Sequence, residues 1–149
     1  MNPNAAVETI MSTRLITCKP DTPLAEIARI FEENGFHHLP VTNERKELLG
    51  IISKSDFARL QYFLAKRRDE VVDPDWHICA ADLMTPHPLS LEPNDSIGLA
   101  ADIFLANKFH ALPIIEAGVL VGLVTTHDLI AYAFNTPVEE SEEVSYEED

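Results

Sequence analysis

Two short stretches, Ser53-Lys54-Ser55-Asp56 and Thr125-Thr126-His127-Asp128, place a hydroxyl three residues ahead of a carboxylate, each directly after an apolar run. That spacing suits the start of a helix. The hydroxyl of Ser53 or Thr125 caps the new helix, and Asp56 or Asp128 stands where a capping box more often has glutamate. The same groups have a second use. A carboxylate can accept two hydrogen bonds from a vicinal diol, and a helix N-terminus offers backbone N–H donors to an anion. Four imidazoles accompany them: His37 and His38 before one apolar strand, His110 before another, and His127 beside Asp128. Such side chains are neutral for much of the time near pH 7 and gain a proton readily. Lys54 adds a fixed positive charge next to Asp56, Thr126 adds none next to Asp128, and His127 can compensate where it points inward.

These residues suit binding better than catalysis. No nucleophile, base and orienting group fall into a set, and the chain has no GxxxxGK[ST], GxGxxG or HExxH. Cys18 and Cys79 form neither a disulfide framework nor a spaced zinc motif. His77 and Cys79 lie two apart with no closely spaced ligand group beside them. The expectation is a non-enzyme without a metal site.

The elements that must position these residues occur twice. Met11, Ile30, Phe31, Asn34, Phe36, His37, Leu39 and Pro40 recur 73 residues later as Met84, Ile103, Phe104, Asn107, Phe109, His110, Leu112 and Pro113. Gly50 and Asp56 recur 72 residues later as Gly122 and Asp128, because the second hairpin turn is one residue shorter. Self-similarity of this kind marks a duplicated structural unit. The first repeat covers residues 7–63 and the second 80–136, with a connector over 64–79 and an acidic tail over 137–149.

Each repeat reads as β-α-β-β-α. A helical turn at Val7 to Met11 leads to a strand around Leu15–Cys18. Asp21 or Thr22 then caps a helix with Pro23 at its first position. Leu24, Ile27, Ala28 and Phe31 give that helix an apolar stripe, repeated by Ile97, Ala100, Ala101 and Phe104. Gly35 is positioned to end the first helix in a left-handed conformation, although Lys108 replaces it in the second. Strands at His38–Val41 and Leu48–Ile52 form a hairpin, as do Ala111–Ile115 and Val119–Val124. One such unit buries little by itself, so two are expected to pair their sheets about a pseudo-twofold axis. The predicted class is α/β, with α+β-like repeats and two related but unequal clefts. In the connector, Lys66, Arg67 and Arg68 read as a solvated helix face and Trp76 as a packed anchor.

The chain has 149 residues, 46% of them hydrophobic and 24% charged, a globular composition with room for one core or two small ones. Its net charge of -14 divides into +2 for residues 1–68 and -16 for residues 69–149. No broad basic footprint exists for nucleic acid or for an anionic membrane surface, while one small anion in a local pocket is compatible with that balance. The tail sequence EESEEVSYEED is expected to be disordered. With neither a secretory leader nor a long apolar run, the expected location is cytoplasmic.

The paired motifs IMS and LMT, FHHLPV and FHALPI, and GIISKSD and GLVTTHD resemble a tandem pair of CBS domains, named after cystathionine β-synthase and often called a Bateman module. The resemblance covers residues 7–136. It implies a regulatory module whose clefts bind adenosine-containing ligands: AMP, ADP, ATP, S-adenosylmethionine or a cyclic dinucleotide, with Mg2+ as a companion of the phosphates. It implies that Asp56 and Asp128 contact ribose and that Ser53 and Thr125 lie near phosphate. His38 falls at the variable, often basic position before the LPV-type strand, where the second repeat has Ala111. It further implies a flat homodimer and an unidentified regulated partner. The alternative is a ligand-free interaction or dimerisation module that uses Phe57–Leu60 and Leu129–Tyr132 as contact surfaces.

Overall fold

Hairpins and helices alternate along the chain because pairs of short, nearly continuous apolar runs are followed in each repeat by a hydroxyl cap and a helical stretch. The computed structural model describes residues 1–66, 77–107 and 109–135. A 3-10 turn at Val7–Thr9 precedes α1 (Leu24–Glu33), β1 (His38–Thr42), β2 (Leu48–Ser53) and α2 (Lys54–Lys66). The second half follows with α3 (Ala80–Leu83), β3 (Thr85–Pro86), α4 (Ile97–Ala106), β4 (Ala111–Glu116), β5 (Val119–Thr125) and α5 (Thr126–Asn135). β1 and β2 pair antiparallel with β3 on the far side of β2, and β4 pairs antiparallel with β5. Arg67, Arg68, Trp76 and the acidic tail lie outside the described residues.

Each hairpin carries the same irregularity, a register shift at Val41/Thr42 and at Ile114/Ile115. The second turn is closed by Ala117 and Gly118, both at positive φ, which matches the right-handed twist of the flanking strands. The expected first strand, Leu15–Cys18, is reduced to one parallel bridge between Cys18 and Val41. The Cys18 N–H donates to the Pro40 carbonyl at 3.0 Å, and the Thr42 N–H donates to the Cys18 carbonyl at 2.9 Å. Leu91 and Ile114 repeat that bridge in the second half. The chain crosses the hairpin edge here and does not run along it.

The helix ends also differ from expectation by small, explicable amounts. Pro23 occupies the cap of α1, not its first turn. The Thr22 hydroxyl turns back to accept the Lys19 N–H at 2.9 Å. Gly35 does not close α1 in a left-handed conformation. Asn34 closes it instead, donating its side-chain N–H to the Ile30 carbonyl at 2.8 Å, and Asn107 does the same to Ile103 at 2.7 Å. The repeated asparagine therefore does the work assigned to the glycine, which explains why position 108 need not be glycine.

Two cores result. One is built from Ile27, Phe31, Leu39, Val41, Ile52 and Phe57, and the other from Leu91, Ile97, Ala100, Leu112, Ile114 and Val124. The leaders are exchanged between them. Val7, at the start of the first repeat, is fully buried in the second core, and Ala80, at the start of the second, is fully buried in the first. The backbone follows the same exchange. The Ala5 carbonyl accepts from Ile97 N–H at 2.8 Å, satisfying the first donor of α4, and the Ile78 carbonyl accepts from Leu24 N–H at 3.1 Å, satisfying that of α1.

The recurring Met and Gly are two sides of this exchange. A Cβ on Gly50 would fall 2.8 Å from Met84 Cγ and 2.9 Å from the Thr85 carbonyl oxygen, and one on Gly122 would fall 2.8 Å from Met11 Cγ. Gly50→Ala is expected to cost about 1–3 kcal/mol, because the obstructing carbonyl belongs to a paired strand and cannot swing aside. Gly35→Ala, where a Cβ meets nothing within 4 Å, should change stability far less. Urea unfolding of the two variants compares them directly.

Candidate functional site

The two helix starts singled out in the sequence form where β2 runs into α2 and β5 into α5. At the second, the capping box is complete. The Asp128 N–H donates to Thr125 Oγ1 at 3.2 Å, and the Thr125 N–H donates to Asp128 Oδ2 at 2.9 Å. At the first, only half of it forms. The Asp56 N–H donates to Ser53 Oγ at 3.1 Å, but the Asp56 carboxylate is ion-paired with Arg59 one turn along α2.

The first N–H of each helix is already satisfied. Lys54 N–H donates to the His37 carbonyl at 2.7 Å, and Thr126 N–H to the His110 carbonyl at 3.0 Å. With the third donor held by the cap hydroxyl, the expected row of free N–H groups for an anion is largely used up internally. Those two bonds do something else: they hold His37 and His110, and the strands that follow them, against the helix starts.

A cleft of about 710 Å³ opens between the repeats. It is lined by His37, His38, Ser53, Lys54, His110, Thr125, Thr126, His127 and Asp128, so it unites every sequence-selected binding residue except Asp56. Ser12, Arg14, Leu15 and Ile16 from the first leader form another wall. Sequence reasoning passed over Arg14. Its signal was available, since it is the one Arg or Lys between the exchanged turn at Val7 and the bridge at Cys18, but it was not tied to the repeated motifs.

The cleft combines apolar surface from Leu15, Ile16, Phe36, Pro40 and Leu123 with many polar side chains, and its volume is within the range that holds a nucleotide-sized molecule. Asp128 keeps acceptor capacity after taking the Thr125 N–H, because an ionised carboxylate has about four lone-pair sites. The same lining carries the cations Arg14 and Lys54 and the imidazoles of His37, His38, His110 and His127. This is one acidic group among several present or potential cations, in a chain whose net charge is -14.

Burial holds the His38 imidazole below its ordinary value of 6.5, with His37 and His110 adding to the effect and Asp56 opposing it. Between that lowered value and about 6.5 the unfolded chain binds more protons at this residue than the folded chain does. The His38 contribution to stability is therefore constant above pH 6.5 and declines as pH falls through this window. Thermal unfolding from pH 7.5 to 5 should show a shallower decline for His38→Gln than for the parent chain.

Other candidate groups stay out of the cleft. Cys18 is buried, and desolvation pushes its thiol up to about 11, so it is protonated and unreactive at neutral pH. Cys79 and Asp82 start α3: the Cys79 N–H donates to Asp82 Oδ2 at 3.0 Å. Among the described residues no group of three or more His, Cys, Asp or Glu is placed to hold a metal ion, and no helix is long and apolar enough to cross a membrane. The suggested contact surface at Phe57–Leu60 needs correction. Phe57 is buried, its ring 5.6 Å from that of Phe31, and the exposed apolar residues of α2 and α5 are Tyr62, Phe63, Ile130 and Phe134.

Comparison with known proteins agrees with this architecture. A chloroplastic CBS domain-containing protein of Arabidopsis thaliana, CBSX1, is 30% identical over 135 aligned residues, covering 77% of this chain and 57% of that one. A Methanocaldococcus jannaschii protein, MJ1225, is 25% identical and aligns over 47% of its length, so this chain spans about half the length of these relatives. The crystal structure of CBSX2 in complex with AMP superposes with a TM-score of 0.74 at 28% identity, covering 87% of this chain and 96% of that one. A putative acetoin utilization protein, AcuB, from Vibrio cholerae shares the fold with a TM-score of 0.77 at 23% identity. The CBS domain family itself matches twice, over residues 7–62 and 80–135. These are the two repeats that the offset of 73 first exposed, and the chain belongs to the CBS domain family as a tandem pair.

Proposed function

We propose that this chain is a regulatory module that binds an adenosine-containing ligand in the cleft of Asp128 and relays its presence to a partner through a change in conformation or dimer packing. One observation carries the reading: a single cleft gathers a capped carboxylate, the Arg14 and Lys54 cations and four imidazoles. Asp128 is the ribose acceptor. Arg14, Lys54 and His38 are the groups that meet phosphate, with Thr125 and Ser53 near it. The AMP bound by CBSX2 supports the choice of ligand class. Mg2+ would enter only with the phosphates of a di- or triphosphate. The module regulates and does not itself turn over its ligand, and its two free thiols suit a reducing compartment such as the cytoplasm.

The test is isothermal titration of nucleotide-stripped protein with AMP, ADP, ATP and S-adenosylmethionine, with and without Mg2+. Saturable binding, mirrored by a concentration-dependent rise in melting temperature, is the expected result. Absence of binding across the panel would sink the reading and leave a ligand-free interaction module in its place.

The module is further proposed to act as a homodimer. Ile130 and Phe134, one turn apart on α5, are 57% and 84% exposed and offer an apolar face that a second copy would cover. Sedimentation equilibrium should detect a dimer, and Phe134→Glu should weaken it by at least tenfold. An unchanged dimer would exclude this face.

A further inference from the structure

The repeat offsets define the counterpart of the Asp128 cleft residue by residue. Asp56 replaces Asp128, Ala111 replaces His38 and His87 replaces Arg14. These three equivalent positions differ in chemistry from those of the Asp128 cleft. The Asp56 carboxylate is ion-paired with Arg59, whereas among the described residues the Asp128 carboxylate has no ion pair and accepts from the cap N–H of Thr125. The residue equivalent to Arg59 in α5 is Ala131, which has no charge to offer. Ala111 is buried and has no polar side-chain atom. His87 is exposed, sits at a φ of +48° and donates its N–H to the Leu49 carbonyl at 3.2 Å.

We propose that the protein holds one adenosine ligand per chain, at Asp128, and that Arg59 is a specificity-determining residue that withdraws Asp56 from service as a second ribose acceptor. The inference rests on the ligand reading above and adds stoichiometry to it. A ribose approaching Asp56 must displace a guanidinium that already satisfies the same carboxylate, and its phosphate then meets methyl and imidazole where the first cleft has imidazole and guanidinium. Arg59 is largely exposed, so its pair with Asp56 is worth at most about 1 kcal/mol, roughly fivefold in affinity. The missing His38 and Arg14 equivalents supply the rest of the discrimination.

Titration calorimetry with AMP on the full chain tests the proposal. The expected result is one AMP per chain, an affinity lowered at least tenfold by Asp128→Ala and changed less than twofold by Asp56→Ala. Arg59→Ala should expose a second, weaker phase at millimolar AMP, which Asp56→Ala added to it removes. Two AMP per chain in the parent protein, or equal losses from the two aspartate variants, would overturn single occupancy while leaving the ligand reading intact. A missing second phase in Arg59→Ala would overturn the role of Arg59. No AMP binding by the parent chain would overturn the single-site proposal, and no binding of any nucleotide would overturn the ligand reading with it.

Discussion

Asp128→Ala should weaken AMP binding by roughly 10- to 100-fold at pH 7, the largest effect expected of any single change in the cleft. Hydrogen bonds to a charged group are worth about 1.5–3 kcal/mol each, and tenfold in affinity is 1.4 kcal/mol. Losing a carboxylate that accepts from a diol removes at least one of them. The alanine also removes the acceptor for the Thr125 N–H, with a folding cost of about 0.5–2 kcal/mol. Asp128→Asn separates the two roles, because its amide oxygen can still take the Thr125 N–H while its charge is gone. The asparagine variant should melt close to the parent and bind AMP weakly. If it bound as tightly as the parent, the carboxylate would not be the ribose acceptor. A melting temperature that fell as far as that of the alanine variant would instead point to the charge at the start of α5 as its main contribution.

Val7→Ala should cost about 2–3 kcal/mol, a large share of the stability of a chain this size. Val7 is fully buried, and in the second core, against residues from Leu91 to Val124, 84 to 117 positions further along. The expected fall in melting temperature is roughly 5–10 °C. The damage should be felt in the second repeat. Amide exchange at Ile97 and Gly98, whose N–H groups donate to the Ala5 and Pro3 carbonyls at 2.8 Å, should accelerate more than exchange in β1. Faster exchange confined to the first repeat would show that the leader is not held where the exchanged packing places it.

The sequence revealed a great deal through repetition and less through local pattern. The offset of 73 located both hairpins and all four long helices, because period and capping chemistry are local signals that a duplication states twice. It also located the helix starts at Ser53 and Thr125, where side chain and backbone satisfy each other within four residues. What it concealed was long-range. The repeated Met11 and Met84 were visible, but that each lies against the glycine of the other repeat depends on a crossing no local pattern encodes. Arg14 was missed for the same reason, since it reaches the cleft only because its leader packs on the second repeat. That the two clefts differ was legible in Lys54 against Thr126 and His38 against Ala111. The ion pair of Asp56 with Arg59, where the second repeat has Ala131, was not.

The exchanged leaders also set an order of assembly. On a ribosome, Val7 emerges before any of its partners exists, and the last of them, Val124, follows more than a hundred residues later. At about 5–20 residues per second the leader waits on the order of ten seconds without its core. The first core is complete only once Ala80 has arrived, and the second only with Val7 from the leader of the first repeat. Each core takes a buried residue from the leader of the other repeat, and contacts of such sequence separation slow the search for the native state. The duplication that made this protein readable as two copies thus yields a molecule that can only be completed as one.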